Sequence, residues 1–178
     1  MVRFARPTPA LARAQASWIA GIEPWRGLGY APGALGRYLA RKARSRAVWI
    51  ARAIPRGAPL AIAVIDDGVL LGSFVALLAV RPEAGGQGLG RALVDHLAAR
   101  TFASRQWLYV SCDGKNLAAL RFYRRLGFSR VGRLPDLVRP GRVEILLRLR
   151  KPAPPKGKIA PAKIAAPARR VGYHQGAS

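Results

Sequence analysis

Two stretches decide the reading: Gly85-Gly86-Gln87-Gly88-Leu89-Gly90-Arg91, and Asn116-Leu117-Ala118-Ala119-Leu120-Arg121-Phe122-Tyr123-Arg124-Arg125-Leu126-Gly127-Phe128. The first follows a long apolar run, Val69 to Val80, and precedes a segment with Leu93 and Leu97 one helical turn apart. Strand, glycine-rich loop and helix are expected in that order. Glycines let backbone amides approach a ligand closely, and the helix N-terminus adds partial positive charge, so the loop predicts a phosphate or pyrophosphate cradle. Spacing narrows the ligand. A P-loop requires Lys and Ser/Thr after its last glycine, whereas Gly90 is followed by Arg91-Ala92. A dinucleotide fingerprint requires a third glycine three residues beyond its G-x-G pair, and those positions hold Arg91 and Leu93.

The second stretch predicts a helix over 117–126 stopped by Gly127. On it Asn116, Ala119 and Tyr123 stand at i, i+3 and i+7, one face over two turns. A capping amide, a small residue and a phenol then look at the same place. Taken alone, an aromatic at helical spacing is ordinary packing.

Working outward, Val2 to Ala5 predicts a short strand. Thr8 caps a helix with Pro9 in its first position, and Leu11, Ala14 and Ile19 follow at roughly helical spacing. Glu23-Pro24-Trp25 and Gly27-Leu28-Gly29 break that helix, and Pro32 opens a second one running to Lys42. Strands are expected over Ala47–Ala53 and Leu60–Asp66, with a hairpin turn at Asp67-Gly68 before the Val69–Val80 return strand. Further strands follow at Trp107–Cys112, Phe128–Val131 and Val143–Leu149.

A central strand, a Gln-Gly-Leu-Gly loop opening a helix, a further strand and Asn-x-x-Ala-x-x-Phe-Tyr-x-x-x-Gly-Phe, in that order, resemble the GCN5-related N-acetyltransferase (GNAT) family. The likeness covers about Leu71 to Leu149. Upstream, the strand and two helices match the family's layout, so the acid-free N-terminal segment is not read as a targeting peptide. The resemblance implies an α/β (α+β) fold with a mixed, splayed central sheet flanked by helices on both faces. It implies an acetyl-CoA-dependent N-acetyltransferase with no metal. The acceptor amine of a small molecule, a protein N-terminus or a lysine would attack the thioester directly. Carried over residue by residue, Leu78, Ala79 and Val80 would pair with the pantetheine arm through their backbone. Gly85, Gly86, Gln87, Gly88, Leu89, Gly90 and Arg91 would form the pyrophosphate loop. Asn116 and Ala119 would meet the cofactor arm, and Tyr123 would protonate the leaving thiolate as general acid. Two departures matter. The first loop position, usually Gln or Arg in the family, is Gly85. The glutamate that serves some relatives as base, five residues before the Asn, is Ser111. Glu144, Asp136, Asp113 and an ordered water chain remain as candidate bases, with Glu144 first among them and set against an ordinary ion pair with one of many arginines. Members often pair as homodimers, which makes a homodimer an expectation.

Composition bounds the rest. With 178 residues, 51% of them hydrophobic, the chain builds one domain with a core. Its longest nearly apolar run, Gly68 to Val80, is 13 residues, short of the roughly 20 that cross a bilayer. The single cysteine, Cys112, rules out an internal disulfide and fits a reducing, cytoplasmic compartment. Cys112, His96 and His174 are not spaced to hold a metal. Thirty-one Lys and Arg face eight Asp and Glu. The domain is placed at 1–150. Residues 151–178, rich in Lys, Pro and Ala with six cations and no acid, are expected to be a disordered basic tail. That charge draws anions, so a nucleic-acid or acidic partner, reached through the tail, stands as an alternative role. A CoA-binding but catalytically degenerate member is a second alternative, motivated by Gly85 and Ser111. The positive field disfavours polycationic acceptors.

Overall fold

The computed structural model describes residues 2–52 and 57–153. The basic tail beyond 153, with His174, lies outside the described residues. Among the described residues seven strands form one sheet: β1 (Arg3–Ala5), β2 (Val48–Arg52), β3 (Ala61–Val69), β4 (Gly72–Val80), β5 (Trp107–Asp113), β6 (Ser129–Pro135) and β7 (Val143–Arg150). Their spatial order is β1-β2-β3-β4-β5-β7-β6. Only β4 and β5 run parallel; every other neighbouring pair is antiparallel.

Helices cover both faces, as the family resemblance implied. On one face α4 (Leu89–Phe102) and α5 (Leu117–Arg125) bury Leu93, Leu97 and Tyr123 against Val75, Leu108, Val110, Ile145 and Leu147. On the other, α1 (Pro9–Ala14), α2 (Ala16–Ala20) and α3 (Pro32–Arg44) bury Ala12, Ile19, Leu35 and Leu39 against Ile50, Ile62, Val64, Leu77 and Ala79. The alternation of Leu77 and Ala79 to one core with Leu78 and Val80 to the other explains why β4 is apolar throughout.

Two local expectations are corrected. The single N-terminal helix is two, because buried Gln15 spends its side chain locally, donating to the Leu11 carbonyl at 2.9 Å and accepting from Trp18 Nε1 at 3.0 Å. The hairpin turn is not Asp67-Gly68. Asp67 stays in β3, accepting the Ser73 hydroxyl at 2.7 Å and pairing with Arg100 at 3.3 Å, and the register slips at Gly68, whose φ is +84°. The chain turns instead at Leu70-Leu71, both at positive φ (48° and 61°).

The feature that positions the site is where β4 and β5 part. They pair only through Ser73–Leu108, Phe74–Tyr109 and Val75–Val110. At the next residue β4 bulges: Val75 stands opposite Ile65 and Leu77 opposite Val64, so Ala76 has no partner across the ladder. A bulge bends its strand and sharpens the twist. Beyond it β4 stays bonded to β3 on one edge, while the other edge swings away from Ser111–Asp113, which continue alongside β7. The sheet is splayed.

Candidate active site

The splay leaves a cavity of about 170 Å³ that passes through the sheet. Its β4 wall is Val75–Leu78 and its β5 wall Val110–Asp113. On the α4/α5 face it is closed by Asn116, Ala119 and Tyr123; on the opposite face by Pro24, Trp25, Leu28, Tyr30, Val138 and Glu144. The three residues predicted to share one face of α5 are thus brought together at the gap. Asn116 caps α5, accepting from the Ala119 amide at 3.0 Å through Oδ1, which leaves its Nδ2 to donate. Tyr123 is 6% exposed, packed edge-on between Phe122 and Phe128. Burial drives its pKa far above that of an ordinary phenol, and the neighbouring Cys112 adds to the rise.

Glu144 is buried on β7, directly across from Asp113 on β5. Burial raises its pKa; a hydrogen bond from Ser111 works against the rise, Asp113 adds to it and Arg142 opposes it. Among the described residues it joins no ion pair, so the ion-pair reading of Glu144 has no support there. Asp113 takes the ion pair instead: its carboxylate accepts the Lys115 amide at 2.7 Å and Arg142 Nε at 2.7 Å. Burial pushes the Asp113 pKa up, but those donors outweigh it and hold the group below the usual carboxylate range. Asp113 is therefore anionic and spoken for, whereas the Glu144 carboxyl lines the gap outside any ion pair among the described residues. Cys112 lies in the same wall, its thiol pushed up by burial to about 11.

A second cavity, lined by Val80, Ala84, Gly85, Gly86, Gly88, Leu89, Gly90, Arg91, Phe122, Arg125 and Leu126, opens where β4 hands over to α4. Gly86 and Gly88 have φ of +73° and +76°, and a Cβ at either would project into open space. The first turn of α4 leaves the amides of Leu89, Gly90 and Arg91 without intrahelical acceptors. A shallow, amide-lined and positively poled cradle is the result, and it suits a pyrophosphate. Gly90 also serves packing, since a Cβ there would meet Phe122 and Val80 at 3.4 Å.

Some predicted residues take other places. The Gln87 side chain turns back to the Glu83 carbonyl at 3.2 Å, and the Gly85 amide donates to the Pro82 carbonyl, so neither supplies that group to the cradle. The Ala79 side chain faces the α1–α3 core, leaving only its backbone near the open edge of β4. Arg91 lines the cradle but shares its charge with Asp95 at 3.5 Å. Arg125, which the sequence reading missed, lines it too. Its signal was there: it lies three residues after Phe122 on the α5 face turned to the loop. Among the described residues no group of three or more His, Cys, Asp and Glu stands where it could hold a metal, and no helix is long and apolar enough to cross a membrane.

A family model described as "Acetyltransferase (GNAT) domain" matches residues 35–130. Peptidyl-lysine N-acetyltransferase YjaB of Salmonella typhimurium is 35% identical over 91 residues, covering 47% of this chain and 60% of that protein. The chain thus spans less than two thirds of that curated relative. Among solved structures, a GNAT-family acetyltransferase from Bacillus cereus superposes with a TM-score of 0.69 at 15% identity, over 86% of this chain and 99% of that one. The ribosomal-protein-S18-alanine N-acetyltransferase from Escherichia coli superposes at 0.62 with 20% identity, over 89% and 100%. At such identities these likenesses speak for the fold. Joined to the family match over more than half the sequence and to a sheet splayed beside a glycine cradle, they establish that this chain belongs to the GNAT acetyltransferase family.

Proposed function

We propose that the protein is an acetyl-CoA-dependent N-acetyltransferase that transfers the acetyl group to a primary amine by direct attack. The observation that carries this reading is the single gap joining the β4 edge, Asn116 and Tyr123 on one face to Glu144 on the other. Acetyl-CoA supplies an activated acetyl thioester. The cradle of Gly86, Gly88 and the α4 amides, with Arg91 and Arg125, holds pyrophosphate. The open edge of β4 from Ala76 to Val80 accepts an extended amide-bearing arm as a neighbouring strand would, and Asn116 Nδ2 fixes it. Ala76, bulged and without a cross-strand partner, is placed to donate its amide to an oxygen gaining negative charge.

Proton traffic falls to two side chains. Glu144, whose pKa is raised by burial, takes a proton from the incoming ammonium. The freed amine forms the C–N bond, the C–S bond breaks as the Tyr123 hydroxyl gives its proton to the departing thiolate, and the extra proton left on the new amide nitrogen is released to solvent, from which the Tyr123 phenolate is reprotonated. Both groups line one cavity, on opposite faces of the sheet, which keeps acid and base apart. The lysine specificity of YjaB and the alanine specificity of the Escherichia coli enzyme support an amine acceptor.

Thermal unfolding of nuclease-treated protein with acetyl-CoA, CoA, ATP or NAD in turn tests the cofactor. A ligand at one hundred times its dissociation constant stabilises by about 2.7 kcal/mol. Stabilisation by acetyl-CoA and CoA and not by the other two is expected. An equal response to all four, or none to acetyl-CoA, would sink the reading.

A further inference from the structure

Charge sets the gap apart from the rest of the molecule. The chain carries 31 Lys and Arg, yet among the described residues no lysine or arginine lines the gap, whose acids are Asp113, neutralised by Arg142, and Glu144. On the face away from α4 and α5 its rim is built from two loops, 21–31 and 136–142. Tyr30 from the first and Leu137 and Val138 from the second are large apolar residues left 43%, 57% and 44% exposed. Trp25 lies deeper in the same wall. Arg139 Nη1 donates to the Gly27 carbonyl at 3.2 Å and ties the loops together, so the apolar rim is a shaped mouth and not two loose ends. Those loops also carry Arg26, Arg139 and Arg142. Arg26 is matched by Glu23 and Arg142 by Asp113, and the charge of Arg139 is offset by Asp136 of the same loop, whose carboxylate accepts the Gly141 amide at 2.7 Å.

The order of chemistry from floor to rim is thus a carboxylate, then aromatic and branched apolar surface, then loops whose charges balance. We propose that the acceptor is a small primary monoamine whose nitrogen is followed directly by an apolar, preferentially aromatic, group. Its ammonium is drawn to Glu144 while the apolar part lies on Trp25, Tyr30 and Val138. Burying an aromatic ring on such a surface is rewarded by area and by ring packing. A second positive charge on the acceptor would be desolvated in the apolar mouth, where the acids lining the gap are Glu144 and the already paired Asp113. The inference rests on the acetyltransferase reading and adds the acceptor class to it.

The test uses the full chain with saturating acetyl-CoA and initial rates on 2-phenylethylamine, n-propylamine and spermidine. The expected order has phenylethylamine at least tenfold above propylamine in kcat/KM, and spermidine below both. Val138→Glu, a change on an exposed loop, is expected to move the phenylethylamine-to-spermidine ratio at least tenfold toward spermidine. Spermidine or propylamine matching phenylethylamine, no turnover of phenylethylamine, or an unmoved ratio in Val138→Glu overturns the acceptor class. If acetyl-CoA stabilises the protein in the melt, the acetyltransferase reading survives that outcome; if it does not, both fall.

Discussion

Replacing Tyr123 with Phe removes one oxygen from the wall of the gap, and the protein contains a reporter of what that oxygen is worth. Cys112 stands in the same gap, and its thiol is pushed from an ordinary 9.0 to about 11, chiefly because burial penalises the thiolate. A CoA thiolate leaving into that space meets the same penalty. Discounted for the half-exposed setting of Cys112, the two-unit rise is on the order of 2 kcal/mol, or about thirtyfold in rate. That is a floor for what a proton donor at this point contributes; general-acid catalysis commonly reaches 10²–10⁴-fold. Tyr123, with a pKa far above that of a free phenol, stays protonated at every pH used for assay. Tyr123→Phe should therefore lower kcat by about 30- to 10³-fold at all pH values from 6 to 9. Stability should change little, because the ring contacts with Phe122 and Phe128 persist. The assay is steady-state release of CoA thiol with the best amine, paired with an acetyl-CoA melt for each protein. An unchanged kcat in a variant that still binds acetyl-CoA would refute the role of Tyr123. A large loss confined to KM would refute it too, since the hydroxyl would then serve binding.

Other perturbations follow from the same geometry. Glu144 acts only when ionised and its pKa is raised by burial, so the acid limb of kcat/KM should lie above the ordinary carboxylate range; Glu144→Gln should abolish that limb and lower kcat/KM by about 10²-fold, read from a pH–rate profile. With its pKa near 11, Cys112 should react slowly with iodoacetamide at neutral pH, gain about tenfold per pH unit through pH 10, and be protected by acetyl-CoA; fast labelling at pH 7 would contradict its placement. Leu70→Asn with Leu71→Gly puts turn residues suited to positive φ where two exposed leucines now adopt it, and should stabilise by about 1–3 kcal/mol, a rise of several degrees in Tm by calorimetry. An unchanged or lower Tm would mean that those leucines gain something from their position that the turn geometry hides.

What the sequence discloses and what it hides divide along a physical line. Features fixed within one helix or turn were legible: the one-face spacing of Asn116, Ala119 and Tyr123, the Thr8 cap with Pro9, and the glycines at 86 and 88 whose φ no other residue adopts cheaply. Features set by distant partners were not. Asp67-Gly68 has the strongest local turn signal in the chain, but Ser73 and Arg100 hold Asp67 in its strand and the turn moves to residues with no turn propensity. The bulge at Ala76 is invisible in a run of apolar residues, because it is a matter of register with Val64 and Ile65. The acceptor mouth is hidden most deeply, for Trp25, Tyr30 and Val138 come from loops over a hundred residues apart and meet only through the sheet and the Arg139–Gly27 bond. Glu144 was legible as a candidate through its strand, but its freedom from an ion pair depended on Asp113 taking Arg142.

The central claim is direct transfer from a ternary complex in the gap. Initial rates of CoA release over a grid of acetyl-CoA and 2-phenylethylamine concentrations, with the acetylated amine identified by mass spectrometry, test it most directly. Intersecting double-reciprocal lines, the N-acetyl amide as product and no acetylated protein in the absence of amine are predicted. Parallel lines with an acetyl group on Cys112, or CoA release that yields only acetate, would contradict it.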